Sequence, residues 1–178
     1  MNKIIVFCLT SLLFGSVYAE QRLTDIQLGF PCEAIPDFEK SLGSVELATQ
    51  DTNGISKYTG TQREVKATVV YHCDQGRLTK QEIIFASTTQ IGAFQIANEQ
   101  RKDIAQKLGE PIFDGLNLKG WRKILFGILG ADLDYLTSVV VWGRKKEDVM
   151  ILVRETEDKL WVITISQGSS KIEYILNS

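Results

Sequence analysis

The sequence predicts an α+β fold: an antiparallel sheet of hairpins with two or three helices packed on one face. Three observations carry that expectation. Residues 65–73 alternate apolar and polar, and a turn signal then returns the chain through a second strand-like run. Residues 90–108 repeat apolar positions every three or four residues, between hydroxyl-rich Ser87-Thr88-Thr89 and the stop Gly109-Glu110-Pro111. Beyond residue 137 come three β-branched segments separated by charged turns. Helix, strands, helix, strands is the order of segregated hairpins with helices laid on the sheet.

The chain opens with Met1-Asn2-Lys3, an apolar stretch from Ile4 to Gly15, and the small-x-small triplet Val17-Tyr18-Ala19. That succession reads as a secretory signal peptide over residues 1–19, cleaved near Ala19. Its apolar stretch is shorter than the roughly 20 residues a spanning helix needs, and no later segment reaches that length. Residues 20–178 are then a single α+β globular domain of about 160 residues, enough to bury a sizeable core. Loss of Lys3, the one charged residue of the signal, takes the formal charge from −2 to −3. A balance that mild does not suit nucleic-acid binding, which draws on clustered Lys and Arg. The expected location is the periplasm, and the expected partner is another envelope or exported protein.

Cys8 leaves with the signal, so Cys32 and Cys73 remain. In an exported chain they are expected to pair. Metal binding by Cys73 with the adjoining His72 is the alternative, but the sequence has no C-x-x-C or H-x-x-x-H spacing to complete a site.

Phe38 and Leu42 share a helical face, so a short helix is expected from near Cys32 or Pro36, with Gly43 ending it. Glu33, Asp37 and Glu39 are read as favourable to its dipole. The Asp, Thr, Asn, Gly and Ser content of 50–61 reads as a turn-rich loop with at most one weak edge strand. Tyr58 and Thr59-Gly60-Thr61 are then candidates for a recognition loop. In the strand from Arg63 to Cys73, residues 65, 67, 69, 71 and 73 share the apolar face. Asp74-Gln75-Gly76-Arg77 forms the turn and Leu78 to Ala86 the return. Cys73 therefore faces the core, where a bridge would pin the first helix to the sheet.

The helix after Thr89 carries Ala93, Ile96, Ala97, Ile104, Ala105 and Leu108 on its apolar side. Residues 112–136 are ambiguous. Trp121, Ile124, Leu125, Ile128 and Leu129 make an apolar stripe over 118–130, flanked by Arg122 and Lys123 and weakened by Gly127 and Gly130. Two readings stand. The stripe is a third core helix, or it is an amphipathic helix offering Trp121, Leu125 and Ile128 to a partner or a membrane surface. Strands are expected at Ser138–Trp142, Asp148–Arg154 and Lys159–Ser166, with Trp142 and Trp161 packed on the sheet and a last edge strand at Lys171–Leu176. Leu42-Gly43-Ser44 and Leu108-Gly109-Glu110 end two helices that each precede hairpin strands, a faint echo of two related α-β units. The layout resembles small exported inhibitor and outer-membrane assembly proteins built from α-β-β units, although no specific motif matches them.

Catalytic constellations are sparse. His72 is the single histidine and reads as a solvent-facing strand residue, with no G-x-S-x-G elbow to serve. Asp132 and Asp134 read as a helix end and a solvated turn rather than a glycosidase pair. The glycines form neither G-x-G-x-x-G nor a Walker loop, so no nucleotide cofactor is expected. The leading functional expectation is a non-enzymatic protein-binding domain such as an inhibitor, an immunity factor or an envelope assembly accessory. A binder of a small apolar or envelope-derived ligand and an enzyme with an unrecognised site are the alternatives.

Overall fold

A computed structural model describes residues 22–23, 25–47, 54–62, 65–130, 132–143 and 147–169. The expected signal peptide at 1–19 and the expected edge strand at 171–176 lie outside these residues. A 3-10 turn, Cys32–Ala34, leads into α1 (Ile35–Ser41). Strands β1 (Val45–Leu47), β2 (Ile55–Gln62), β3 (Val65–Asp74) and β4 (Arg77–Ser87) follow. Then come α2 (Gln90–Leu108), β5 (Phe113–Asp114), α3 (Gly120–Ile128), α4 (Leu133–Leu136), β6 (Val139–Gly143), β7 (Glu147–Glu155) and β8 (Trp161–Ser169).

All eight strands form one antiparallel sheet in the order β1-β2-β3-β4-β8-β7-β6-β5. This is the α+β fold expected, and the order resolves the echo in the sequence. One unit is α1 followed by the meander β1 to β4. The other is α2 followed by the meander β5 to β8, with α3 and α4 inserted between β5 and β6. The last strands of the two units pair, Ile83 opposite Ile165, so the units meet head to head.

Period-two alternation sorts side chains by face. One cross-strand row, Tyr58, Val69, Ile83, Ile165, Ile151 and Val140, runs from β2 to β6 and is buried throughout. Ala93, Ala97 and Ile104 of α2 and Ile35 of α1 close over the same face and join this core. The row one residue along, Thr59, Thr68, Ile84, Thr164, Leu152 and Val139, points to the other face. Only Val139 of that row is fully buried. Among the described residues neither α1 nor α2 covers this second face.

The element ends follow local chemistry. Thr89 accepts a hydrogen bond from Gly92 N–H and caps α2. Gly43 N–H donates to Lys40 O and Ser44 N–H to Glu39 O, the Schellman pattern that closes α1. Between β3 and β4, Gln75 and Gly76 both take positive φ (49° and 73°), as a type I′ hairpin turn requires. Trp142 Nε1 donates to Gly109 O at 2.9 Å and ties the end of α2 to β6.

Two expectations are corrected. Residues 55–62 are not a loop with a weak edge strand; β2 is a full strand between β1 and β3, and the edge is β1. Its one large inward apolar residue is Tyr58, so the pattern is faint and the strand is held by its register with β3. Glu39, read as a dipole partner, is wholly buried and serves a different purpose.

Candidate functional site

Cys32 and Cys73 are joined, with Cα atoms 6.3 Å apart. Just ahead of the bridge the chain runs alongside the start of β4. Gly29 N–H donates to Leu78 O, Leu78 N–H to Phe30 O and Cys32 N–H to Gly76 O. The bridge thus fastens the approach to α1 onto the β3–β4 hairpin, as expected, and a disulfide of this kind fits an exported protein.

The core holds two polar clusters that pattern reading missed. Arg22 meets Glu39 with two of its guanidinium nitrogens, Nε to Oε1 at 2.7 Å and Nη2 to Oε2 at 2.6 Å. Arg22 Nη2 also donates to Ser44 Oγ at 2.8 Å, and the Tyr71 hydroxyl donates to Glu39 Oε1 at 2.5 Å. Burial opposes ionisation of Glu39, yet the hydrogen bonds and charge of Arg22, aided by Ser44 and Tyr71, outweigh it and hold the carboxyl below its ordinary range. The Tyr71 hydroxyl is pushed far up by burial and by the Glu39 charge. Arg22, Glu39 and Tyr71 are almost wholly shielded from solvent, so the cluster braces the fold. In the second cluster Gln81 Nε2 donates to Gln167 Oε1 across the β4–β8 seam and to the carbonyls of Arg22 (3.2 Å) and Ile26 (3.3 Å). Gln167 Nε2 in turn donates to Glu147 Oε2 at 2.7 Å.

Of the residues expected to meet a partner, the structure groups three and removes one. Trp121, Leu125 and Ile128 share the exposed side of α3, at 61%, 46% and 77% exposure, together with Ile124 and Leu129. No residue of α3 is fully buried. Its inward contact is Phe126, whose ring lies edge-on to Phe113 of β5 with centroids 6.4 Å apart. Phe113 pairs with Val141, which lies on the second face of the sheet. The stripe is therefore not a third core helix; α3 flanks the sheet and turns its apolar side to solvent. Tyr58 stands apart. It is buried in β2 with its ring edge-on to Tyr71 at 6.0 Å, and it is no part of a recognition loop.

The second face of the sheet mixes aliphatic, hydroxyl and charged side chains. Lys57, Lys66, Lys80 and Arg154 sit on it, against Glu82 and Asp148. His72 also lies here, 3.0 Å from Glu82, with Lys80 at 2.9 Å from the same carboxylate. Burial raises the Glu82 carboxyl, but Lys80 and His72 together bring it below its ordinary range. Asp132 Oδ1 accepts from Tyr135 N–H and caps α4, the helix-end role expected of it. Among the described residues no group of three His, Cys, Asp or Glu is placed to hold a metal, and no helix is long and apolar enough to cross a membrane.

A cleft of about 560 Å³ opens at the end of β7 and the start of β8, walled by Phe94, Trp161, Tyr135, Leu152 and Arg154. Phe94 and Trp161 pack against each other with centroids 6.3 Å apart. Comparison with family models, curated proteins and solved structures finds no match to the chain.

Proposed function

We propose that this is an exported, periplasmic protein that works by binding another protein rather than by catalysis. The observation that carries the reading is the second face of the sheet. It is a rigid antiparallel surface with α1 and α2 on the opposite side, bearing the row Thr59, Thr68, Ile84, Thr164 and Leu152 part-exposed to solvent. Short hydroxyl and aliphatic side chains fixed on strands lose little freedom when a partner covers them. Lys57, Lys66, Lys80 and Arg154 outnumber the carboxylates of this face in a chain whose net charge is negative, so the partner surface it fits is acidic.

The experiment is capture from native envelope extract of the host at moderate salt, with the wild-type protein and a Thr68→Glu/Thr164→Glu variant side by side. One stoichiometric partner held by the wild type, lost by the variant and weakened by added salt supports the reading. An empty column, repeated with crosslinking, or a partner held equally by the variant, rejects it.

The cleft at Phe94 and Trp161 favours a second reading, in which the protein carries a small apolar or envelope-derived ligand. Native mass spectrometry of protein gently purified from its host distinguishes the two. A co-purifying mass of a few hundred daltons supports the carrier, and a clean apo mass counts against it.

A further inference from the structure

We infer that α3 is an interfacial helix that seats the protein on an anionic phospholipid surface. The apolar residues of α3 and its end, Trp121, Ile124, Leu125, Ile128 and Leu129, recur at i, i+3, i+4, i+7 and i+8 and so form one continuous strip along the helix. All are exposed. In that strip the only hydrogen-bonding side chain is the indole of Trp121. A bilayer interface takes up such a strip without directional contacts, and tryptophan is the side chain best suited to its headgroup boundary.

Charge decides between a lipid surface and an apolar protein groove. Arg122 is exposed at the border of the strip and Lys119 and Lys123 are exposed on the polar side of the same helix, while residues 115–131 contain no Asp or Glu, although the whole chain has more acidic than basic residues. Arg122 lies 5.3 Å from the centre of the Trp121 ring, so a cation already stands at the edge of the apolar strip. An apolar strip backed by three cations and no anion on the same helix is the complement of acyl chains beneath acidic headgroups. The helix itself points the same way. It is nine residues long, lacks a side-chain cap and includes Gly120 and Gly127. Little within it favours a helix in water, and the environment that rewards its periodicity is an apolar boundary.

The test is co-sedimentation with vesicles, using phosphatidylglycerol mixed with phosphatidylcholine against pure phosphatidylcholine. Because residues 4–15 are themselves apolar, the protein is taken as its host releases it, its start fixed by mass, and every variant shares that start. The expected result is binding to the anionic vesicles, little to the neutral ones, and a blue shift of tryptophan emission. Trp121 reports that shift, because Trp142 is 2% exposed and Trp161 is half-buried. Trp121→Phe keeps binding and loses the shift. Arg122→Gln/Lys123→Gln weakens binding to anionic vesicles roughly 30-fold. Leu125→Asp/Ile128→Asp abolishes it with the thermal transition unchanged. Absence of wild-type binding, equal binding to neutral vesicles, or an Arg122→Gln/Lys123→Gln or Leu125→Asp/Ile128→Asp variant that binds as wild type overturns the inference. A lipid-free dimer that the Asp variant dissolves, with no vesicle binding, assigns the strip to a second copy of the chain instead. None of these outcomes touches the sheet-face reading, whose variants lie elsewhere.

Discussion

Arg22 and Glu39 form a buried two-point ion pair, 2.6 and 2.7 Å across its hydrogen bonds, that ties the segment ahead of the disulfide to α1. Glu39→Gln leaves the guanidinium buried without its counter-charge. Removing one partner of such a pair costs roughly 3–5 kcal/mol, or about 10 °C in Tm for a chain of this size. Calorimetry of the variant reads it directly, and a shift within about 2 °C would show that solvent reaches the site.

The same pair sets an acid limit. The folded state holds Glu39 below its ordinary range, so its stabilisation is fully present above the unfolded value of about 4.3 and is lost as pH falls through the folded value. Glu82 acts in the same direction, less strongly because it is partly exposed. Tm should therefore hold steady from neutral pH to about 5 and then fall. In Glu39→Gln that fall should be shallower, as pH-dependent circular dichroism would show.

The Cys32–Cys73 bridge closes a loop with a sequence separation of 41. In the chain-entropy description a loop of that size contributes about 4 kcal/mol by restricting the unfolded chain. Cys32→Ser/Cys73→Ser should lower the denaturant midpoint and raise the m-value, because the unlinked unfolded chain exposes more surface.

Gln81 supplies the donor for two backbone carbonyls, Arg22 O and Ile26 O. Gln81→Leu leaves both without it and should cost about 1–3 kcal/mol. A double-mutant cycle with Gln167→Leu should show coupling, because the two amides bond each other across the seam.

Gly115 sits where its backbone meets the turn after α4. A Cβ built there would lie 1.7 Å from Leu136 O and 2.5 Å from Val139 O, both backbone atoms with little freedom to retreat. Gly115→Ala should detach β5 from β6 at a cost of about 1–3 kcal/mol. Hydrogen exchange should accelerate at Ile112 and Gly115, whose N–H groups donate to Val141 O and Val139 O.

The sheet and α2 were legible because their signals are local. β3 and β4 alternate cleanly, Thr89 caps α2, and two cysteines left one pairing. β2 was not legible, since one inward tyrosine among Ser, Lys, Thr and Gly does not make a pattern. Arg22 and Glu39 are 17 residues apart, and no periodicity links them. Signals for the buried clusters did exist. Tyr71 lies on the apolar side of β3, where its hydroxyl must find an acceptor. Gln81 and Gln167 share the inward parity of Ile83 and Ile165. A polar side chain at an inward strand position implies a partner at another inward position. The outward turn of α3 could not be read from its stripe, because a core helix and a surface helix share that periodicity; the position of Phe126 decided it.

The head-to-head seam has a consequence for how the chain can be cut. Each half has its own helix and meander, and the disulfide lies wholly within the first. Severed between Ser87 and Gln90, the halves would each bare a long hydrogen-bonding edge, β4 on one and β8 on the other, with matched register and a glutamine at corresponding depth. The protein is thus built like a complementing pair that happens to share one backbone, and a nicked molecule should stay assembled until denaturant opens the seam.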